Sequence, residues 1–246
     1  MIEIRNLTKR YGDFTAVDDI SLIARPGEIF GFLGPNGAGK TTTIRIIVGL
    51  SLPTEGLVRV DRFDVVRERD EAKRILGYVP DRPFLYEKLT GRELLHFVAD
   101  LYQQPWSAAE PRAVRVLEHL HLGEWLDARI ENYSHGMKQK LVLVAALVHD
   151  PKVVVIDEPM VGLDALAQRQ VRLLLRELAG EGKTVFLTTH TLSVAEAVCD
   201  QIAILHRGRI ATTGTPETIK RLSGIDGGAL EDVFLQITVD SQAAGA

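Results

Sequence analysis

Ile2 and Ile4 alternate with charged residues, the period-two pattern of a half-buried strand over Met1–Leu7. Thr8–Thr15, which contains Tyr11-Gly12-Asp13, is expected to turn. Ala16–Ala24 reads as a second strand, and Arg25-Pro26-Gly27-Glu28 as a second turn. Ile29–Leu33 is continuously apolar, as in a strand buried on both faces. Thr41–Leu50 switches to helical spacing, with Ile44, Ile47 and Val48 on one face. Pro53–Gly56 turns again, and Leu57–Val60 alternates as a strand. These early strands are close in sequence and joined by turns, so they are expected to pair antiparallel.

The pattern changes after Arg74. Ile75–Val79 is a short apolar strand ending in Pro80-Asp81-Arg82-Pro83. Thr90-Gly91-Arg92-Glu93 is a capping box opening a helix to about Gln104, and Ser107–Glu110 a second one opening a helix to about His121. Ser134 starts a third helix running to about Val148. Residues 84–149 are thus expected to be helical, without a strand. After them, strands and helices alternate: Val153–Ile156 strand, Ala165–Ala179 helix, Thr184–Thr188 strand, Leu192–Cys199 helix, Gln201–Leu205 strand. Arg207-Gly208 turns a closing hairpin, and Pro216–Leu222 forms a short helix. Ser223–Gly228 reads as flexible by composition, Ala229–Val239 as a last helix or strand, and Asp240–Ala246 as frayed.

This alternation implies an α/β fold with a mainly parallel sheet, an antiparallel β subdomain on the N-terminal side and an inserted helical subdomain. The expected division is a main domain over 1–224, with the helical part at about 84–149, and a tail over 225–246. Ligands of such sheets bind at the carboxyl ends of the strands. Asp81, Asp157 and His190 all follow strand ends.

Composition narrows the class. The 246 residues carry a net charge of −4, so no nucleic-acid partner is expected. The single Cys199 excludes an internal disulfide and any multi-cysteine zinc site. The longest apolar run, Leu141–Val148, is far shorter than a membrane span. The start of the chain lacks a basic-then-apolar leader, so a cytosolic protein is expected. Work at a membrane would need a partner that supplies the spans.

The chemistry centres on Phe32–Thr43, FLGPNGAGKTTT. Gly34, Gly39, Lys40 and Thr41 have the spacing of a phosphate-binding P-loop, between the strand and the helix that such a loop requires. Gly34, Gly37 and Gly39 let the backbone curl and bring N–H groups close to phosphate oxygens. The helix start behind them adds partial positive charge. Lys40 reaches the β- and γ-phosphates, and Thr41 offers a hydroxyl to Mg2+.

Other residues complete a site. Asp157, at a buried strand end, suits a Mg2+ ligand, and Glu158 a general base for an attacking water. The alternative is a strand ending in solvated acids. His190 could donate to a γ-phosphate or be an ordinary strand-end histidine. Tyr11 could stack on an adenine ring or lie on the surface. Ser134 is well typed as an N-cap; read further, Ser134-His135-Gly136-Met137 is a second phosphate-ready helix start. Asp81 is either a water-mediated Mg2+ contact or a solvated loop acid.

Together these residues resemble an ATP-binding cassette ATPase, the motor subunit of ABC transporters, from about Met1 to Ser223. Gly34, Pro35, Asn36, Gly37, Ala38, Gly39, Lys40, Thr41 and Thr42 match the family's Walker A loop. Val153–Asp157 matches its Walker B strand, Glu158 its catalytic glutamate, Gly162-Leu163-Asp164 its D-loop and His190 its switch histidine. Tyr11 falls on its adenine-stacking aromatic. Tyr133–Met137 falls on its signature, usually Leu-Ser-Gly-Gly-Gln, of which Ser134 and Gly136 are retained. Asp81 stands where the family usually has Gln. Ala229–Ile237 resembles a tail of bacterial drug, antibiotic and polysaccharide exporter ATPases.

The resemblance implies a P-loop NTPase core and a homodimer or pseudo-dimer. ATP would lie between the P-loop of one subunit and Ser134 and Gly136 of the other. It implies ATP and Mg2+ as cofactors and polytopic membrane transport subunits as partners. The place implied is the cytoplasmic face of the membrane, held peripherally. The expected function is ATP hydrolysis driving export. One rival is a non-transport ABC ATPase, regulatory or acting on DNA or the ribosome; the inserted coiled coil, zinc cysteines or second cassette of such proteins are not seen here. A nucleotide-binding regulatory module would have no reason to keep both Asp157 and Glu158. A P-loop kinase would not need the signature or His190.

Overall fold

The computed structural model describes residues 1–222 and 229–243. Strands β1 (Ile2–Tyr11), β2 (Phe14–Ala24), β4 (Glu55–Val60) and β5 (Phe63–Asp64) form an antiparallel sheet in the order β2-β1-β4-β5. Strands β3 (Ile29–Leu33), β6 (Leu76–Val79), β7 (Val153–Asp157), β8 (Thr184–Thr189), β9 (Gln201–His206) and β10 (Arg209–Gly214) form the second sheet, ordered β10-β9-β3-β8-β7-β6. All its pairs are parallel except the β9–β10 hairpin. The sheet is buried on both faces, which explains its unbroken apolar strands. Ile29, Leu33, Val185 and Leu187 pack toward the helices, while Phe30, Phe32 and Phe186 pack toward helix α1 (Lys40–Ile47) and the antiparallel sheet. The Phe30 and Phe186 rings stack with centroids 5.6 Å apart.

Between β6 and β7 lie helix α3 (Gly91–Leu101), helix α4 (Trp106–His119), two short 3-10 turns and helix α5 (His135–Leu147). The capping box at α3 is complete: Thr90 Oγ1 accepts from Glu93 N–H, and Glu93 accepts from Thr90 N–H. Helix α6 (Ala165–Gly180) follows β7, and helix α7 (Leu192–Val198) follows β8.

Several expectations are corrected. The Thr8–Thr15 turn shrinks to Gly12-Asp13, because Tyr11 pairs directly with Phe14 and extends both strands. β5 and helix α2 (Arg69–Arg74) fall where no element was expected: β5 is two residues long, and α2 has Ala72 as its single apolar residue, so it carries no periodic apolar face. Helix α4 starts at Trp106 behind Pro105, one turn position earlier than the Ser107 box, because Pro105 O already accepts from Ala108 N–H. Helix α8 (Pro216–Leu222) forms as expected. Helix α9 (Leu230–Ala243) settles the tail as a helix, and it passes Asp240, where fraying was expected. Leu230 and Val233 are buried, and α9 packs on α7 and α8. The stretch expected to be flexible, 223–228, and the last three residues lie outside the described residues.

Candidate functional site

The loop after β3 is braced by elements far away in sequence. A Cβ at Gly34 would sit 2.4 Å from Leu205 O, and one at Gly39 2.5 Å from Ala16 O. Gly37 and Gly39 also have φ of +81° and +110°, which L side chains rarely adopt. Ala38 O accepts from Gly208 N–H at 3.0 Å, and Gly208 O from Asp18 N–H at 2.8 Å. The β9–β10 turn therefore ties the loop to β2.

Helix α1 begins behind Gly39 with no side chain capping it. Its first N–H groups are left for a ligand. They face a cleft of about 240 Å³ lined by Asn36, Gly37, Gly39, Lys40, Thr41 and Thr42, with Phe14 and Ala16 as its wall. Lys40 is buried, and its ammonium donates to Gly34 O at 2.6 Å and Pro35 O at 3.2 Å. Burial lowers its pKa; the carboxylates of Glu158 and Asp157 act the other way.

Those carboxylates stand at the end of β7. Burial raises the Asp157 pKa, the Thr188 hydroxyl that donates to it opposes this, and Asp81 and Glu158 raise it further. Asp81 thus lies within the field of Asp157. Burial and Asp157 also push Tyr78, on β6, up to about 12. Glu158 sits at φ +53°, a conformation that costs on the order of 1 kcal/mol for a non-glycine residue. Its N–H donates to Thr188 O at 3.2 Å and to Thr188 Oγ1 at 3.3 Å. Its Oε1 lies 2.8 Å from His190 Nδ1. Thr188 organises this corner, and sequence reasoning missed it; its only local signal is a hydroxyl following the apolar run Val185–Leu187.

The structure thus gathers Lys40, Asp157, Glu158 and His190, with Asp81 near Asp157. Tyr11 is half exposed at the end of β1, with Lys9 Nζ 4.7 Å above its ring, and does not line the cleft. Ser134 and Gly136 do not line it either. Ser134 caps α5 by accepting from Met137 N–H at 3.2 Å. Beside it, the His135 ring packs so closely on Gly162 that a Cβ there would sit 2.5 Å from His135 Cδ2. Asp164 caps α6 through Ala167 N–H at 2.7 Å.

Residues 17–161 match the family model described as ABC transporter. The chain belongs to the ABC transporter family. Within it, the chain is an ATP-binding ATPase cassette. It is 37% identical, over 97% of its length and 75% of the relative's, to the linearmycin resistance ATP-binding protein LnrL of Bacillus subtilis strain 168. It is 40% identical to the Nod factor export ATP-binding protein I of Paraburkholderia xenovorans strain LB400, covering 89% of this chain and 72% of that one. A third relative, Probable multidrug ABC transporter ATP-binding protein YbhF of Escherichia coli strain K12, is 35% identical over 98% of this chain; the chain spans 42% of that protein's length. Among solved structures, an ATP-binding subunit of an ABC transporter superposes with a TM-score of 0.90 at 33% identity, covering 96% of this chain and 98% of that one. A dimeric ATP-binding cassette in a post-hydrolysis state, bound to ADP and Pi, gives 0.78 at 28% identity, covering 87% and 98%. Both the α/β P-loop fold and the nucleotide chemistry expected from the motifs agree with these relatives.

Proposed function

We propose that this ABC cassette is the motor subunit of an exporter, using ATP hydrolysis to drive separate membrane subunits. The observation that carries the reading is the Glu158–His190 pair, 2.8 Å apart, beside the loop that holds Lys40. Lys40, Thr42 and the α1 N–H groups would hold the phosphates, and the Gly34–Gly39 backbone would wrap them. Glu158 would take a proton from the attacking water, and His190 would hold its carboxylate in place. Tyr11 is proposed to meet the adenine. Ser134 and Gly136 would serve the ATP of a second copy, since they do not line this copy's cleft.

Mg2+ fits the chemistry of the donors. Asp157 is a buried carboxylate with Asp81 and Glu158 close enough to raise its pKa, a crowding of negative charge that suits a cation, and Thr41 adds a hydroxyl. Among the described residues, no group of three or more His, Cys, Asp or Glu side chains could hold a metal ion alone. The ion would therefore come with the nucleotide phosphates, as Mg2+ commonly does.

Among the described residues, no helix is long and apolar enough to cross a membrane. A membrane partner would find an apolar groove of about 620 Å³ between β6 and α3, lined by Tyr78, Phe84, Tyr86, Phe97 and Leu101. Phe84 is 88% exposed there, its ring set edge-on to Tyr86 with centroids 6.5 Å apart. This supports a peripheral place on the cytoplasmic face, with membrane subunits docked at the groove. The relative named for Nod factor export supports export as the direction.

The test separates binding from turnover. Glu158→Gln should keep ATP affinity and lose at least about a hundredfold in steady-state hydrolysis, the scale of a lost general base. Lys40→Ala should lose both. Wild-type turnover in purified Glu158→Gln would remove Glu158 from the role.

A further inference from the structure

We infer that the C-terminal helix α9 positions His190 for the hydrolysis step, acting through helix α7, with Glu196 as the positioning residue that joins the two helices. The inference rests on the reading of Glu158 and His190 as the hydrolytic pair. The His190 side chain is 53% exposed, so little packing around the ring holds it 2.8 Å from Glu158. Its place is set by the backbone on either side: β8 ends at Thr189, and α7 begins at Leu192. β8 is fixed by parallel pairing with both β3 and β7. Helix α7 is seven residues long, and no side chain caps its start. A helix this short is not stable by itself, so what packs on it decides where it lies.

Helix α9 packs on it from the far end of the chain. Val194, Ala195 and Val198 of α7 share one buried core with Leu230 and Val233 of α9 and Ile219 of α8. A polar tie is built beside that core. Glu196 Oε1, on α7, accepts from Leu230 N–H at 3.0 Å. The same oxygen lies 3.1 Å from Lys220 Nζ of α8. Leu230 opens α9, and the first N–H groups of a helix have no carbonyl within it to bond. Glu196 supplies that acceptor and sets a carboxylate at the positive end of α9. One side chain thus fastens the helix after His190 to the segment Ala229–Ile237, which the sequence sets apart as a tail. None of these residues lines the P-loop cleft, so the effect of α9 falls on turnover and not on ATP binding.

The test combines steady-state ATPase kinetics with NMR of the histidine rings, both on the full chain. Glu196→Ala and Leu230→Ala should each lower kcat about three- to tenfold, the scale of a lost coupling contact. The KM for ATP should stay within about twofold of wild type, because binding is untouched. Both variants should shift the His190 ring signal. Glu196→Gln keeps an acceptor for Leu230 N–H and should recover most of the kcat lost in Glu196→Ala. Leu117→Ala, which removes a buried side chain from α4 away from α7, is the control for loose packing; it should leave kcat within about twofold and the His190 signal in place. Wild-type kcat and an unmoved His190 signal in Glu196→Ala would overturn the inference. So would an equal loss of kcat in Leu117→Ala. Wild-type turnover in His190→Ala would instead overturn the reading of the Glu158–His190 pair, while the His190 signal in Glu196→Ala still reports whether α9 reaches that histidine.

Discussion

Helix α1 leaves its first N–H groups uncapped, whereas helix α5 caps its own through Ser134. Both starts offer backbone donors and partial positive charge to a phosphate. The α1 start is concave, with a buried lysine beneath it and a wall made by Phe14 and Ala16. At the α5 start, Ser134 and His135 are exposed, and the first lysine, Lys138, pairs with Glu87. The first combines uncapped N–H donors, a lysine and a wall within one chain. The second has a hydroxyl and a helix end but no cradle, so it is suited to a phosphate brought by another molecule.

The glycines break this comparison most sharply. Gly39→Ala forces a left-handed alanine against Ala16 O, and should lower ATP affinity on the order of a hundredfold. At Gly136 a Cβ would meet only ordinary contacts at 3.6 Å. Gly136→Ala should therefore bind ATP as a monomer within about twofold of wild type. Calorimetry on both variants decides; equal losses would mean that the two helix starts serve the same nucleotide in one chain.

Next in size is an effect on assembly. In a Glu158→Gln background, ATP should shift the protein from monomer to dimer in light scattering. Adding Ser134→Arg should abolish that shift while ATP still binds the monomer. A dimer that persists would show that the α5 start does not face nucleotide.

The far end of α5 makes a pH-dependent prediction. His149, just past the helix, is buried, stacks on Tyr102 and lies 3.2 Å from Leu76 O, fastening α5 to β6. Burial lowers its pKa from 6.5 to about 4. The unfolded chain then takes up a proton below about 6.5, and the folded chain only near 4, so stability falls as pH falls through that window. Between pH 7 and pH 5 the loss is about 2 kcal/mol. Denaturant unfolding should show it in wild type and lack it in His149→Phe. If both proteins show equal slopes, the acid sensitivity comes from elsewhere.

The smallest effect belongs to the metal side of the first site. Asp81→Asn removes a charge from the field of Asp157. It should raise the Mg2+ concentration for half-maximal ATPase activity by about two- to fivefold. Mg2+-free ATP binding should change little. Superimposable Mg2+ curves would reduce Asp81 to a loop acid.

Local signals were readable directly. The P-loop spacing, the Thr90–Glu93 capping box, the Ser134 cap and the apolar strands each depend on residues within a few positions of one another. The start of α4 was misplaced by the same logic, because Ser107 and Pro105 both suit a helix start and only the backbone geometry chooses between them. Helix α2 went unseen because its polar sequence has no buried stripe beyond Ala72.

Read along the chain alone, the residues tell what each strand end carries: a glycine-rich loop after β3, two acids where β7 ends and a histidine after β8. They do not determine which ends touch. An unbroken apolar strand looks the same wherever it lies in a buried sheet, so its pattern holds no information about its neighbours. Only the order β9-β3-β8-β7 sets His190 against Glu158 and places Thr188 between the two acids. The same order carries the Gly208 turn to the back of the P-loop, and the β1–β2 hairpin brings Phe14 to its mouth. These contacts join residues far apart in the chain, and they exist because both faces of the sheet must be buried at once.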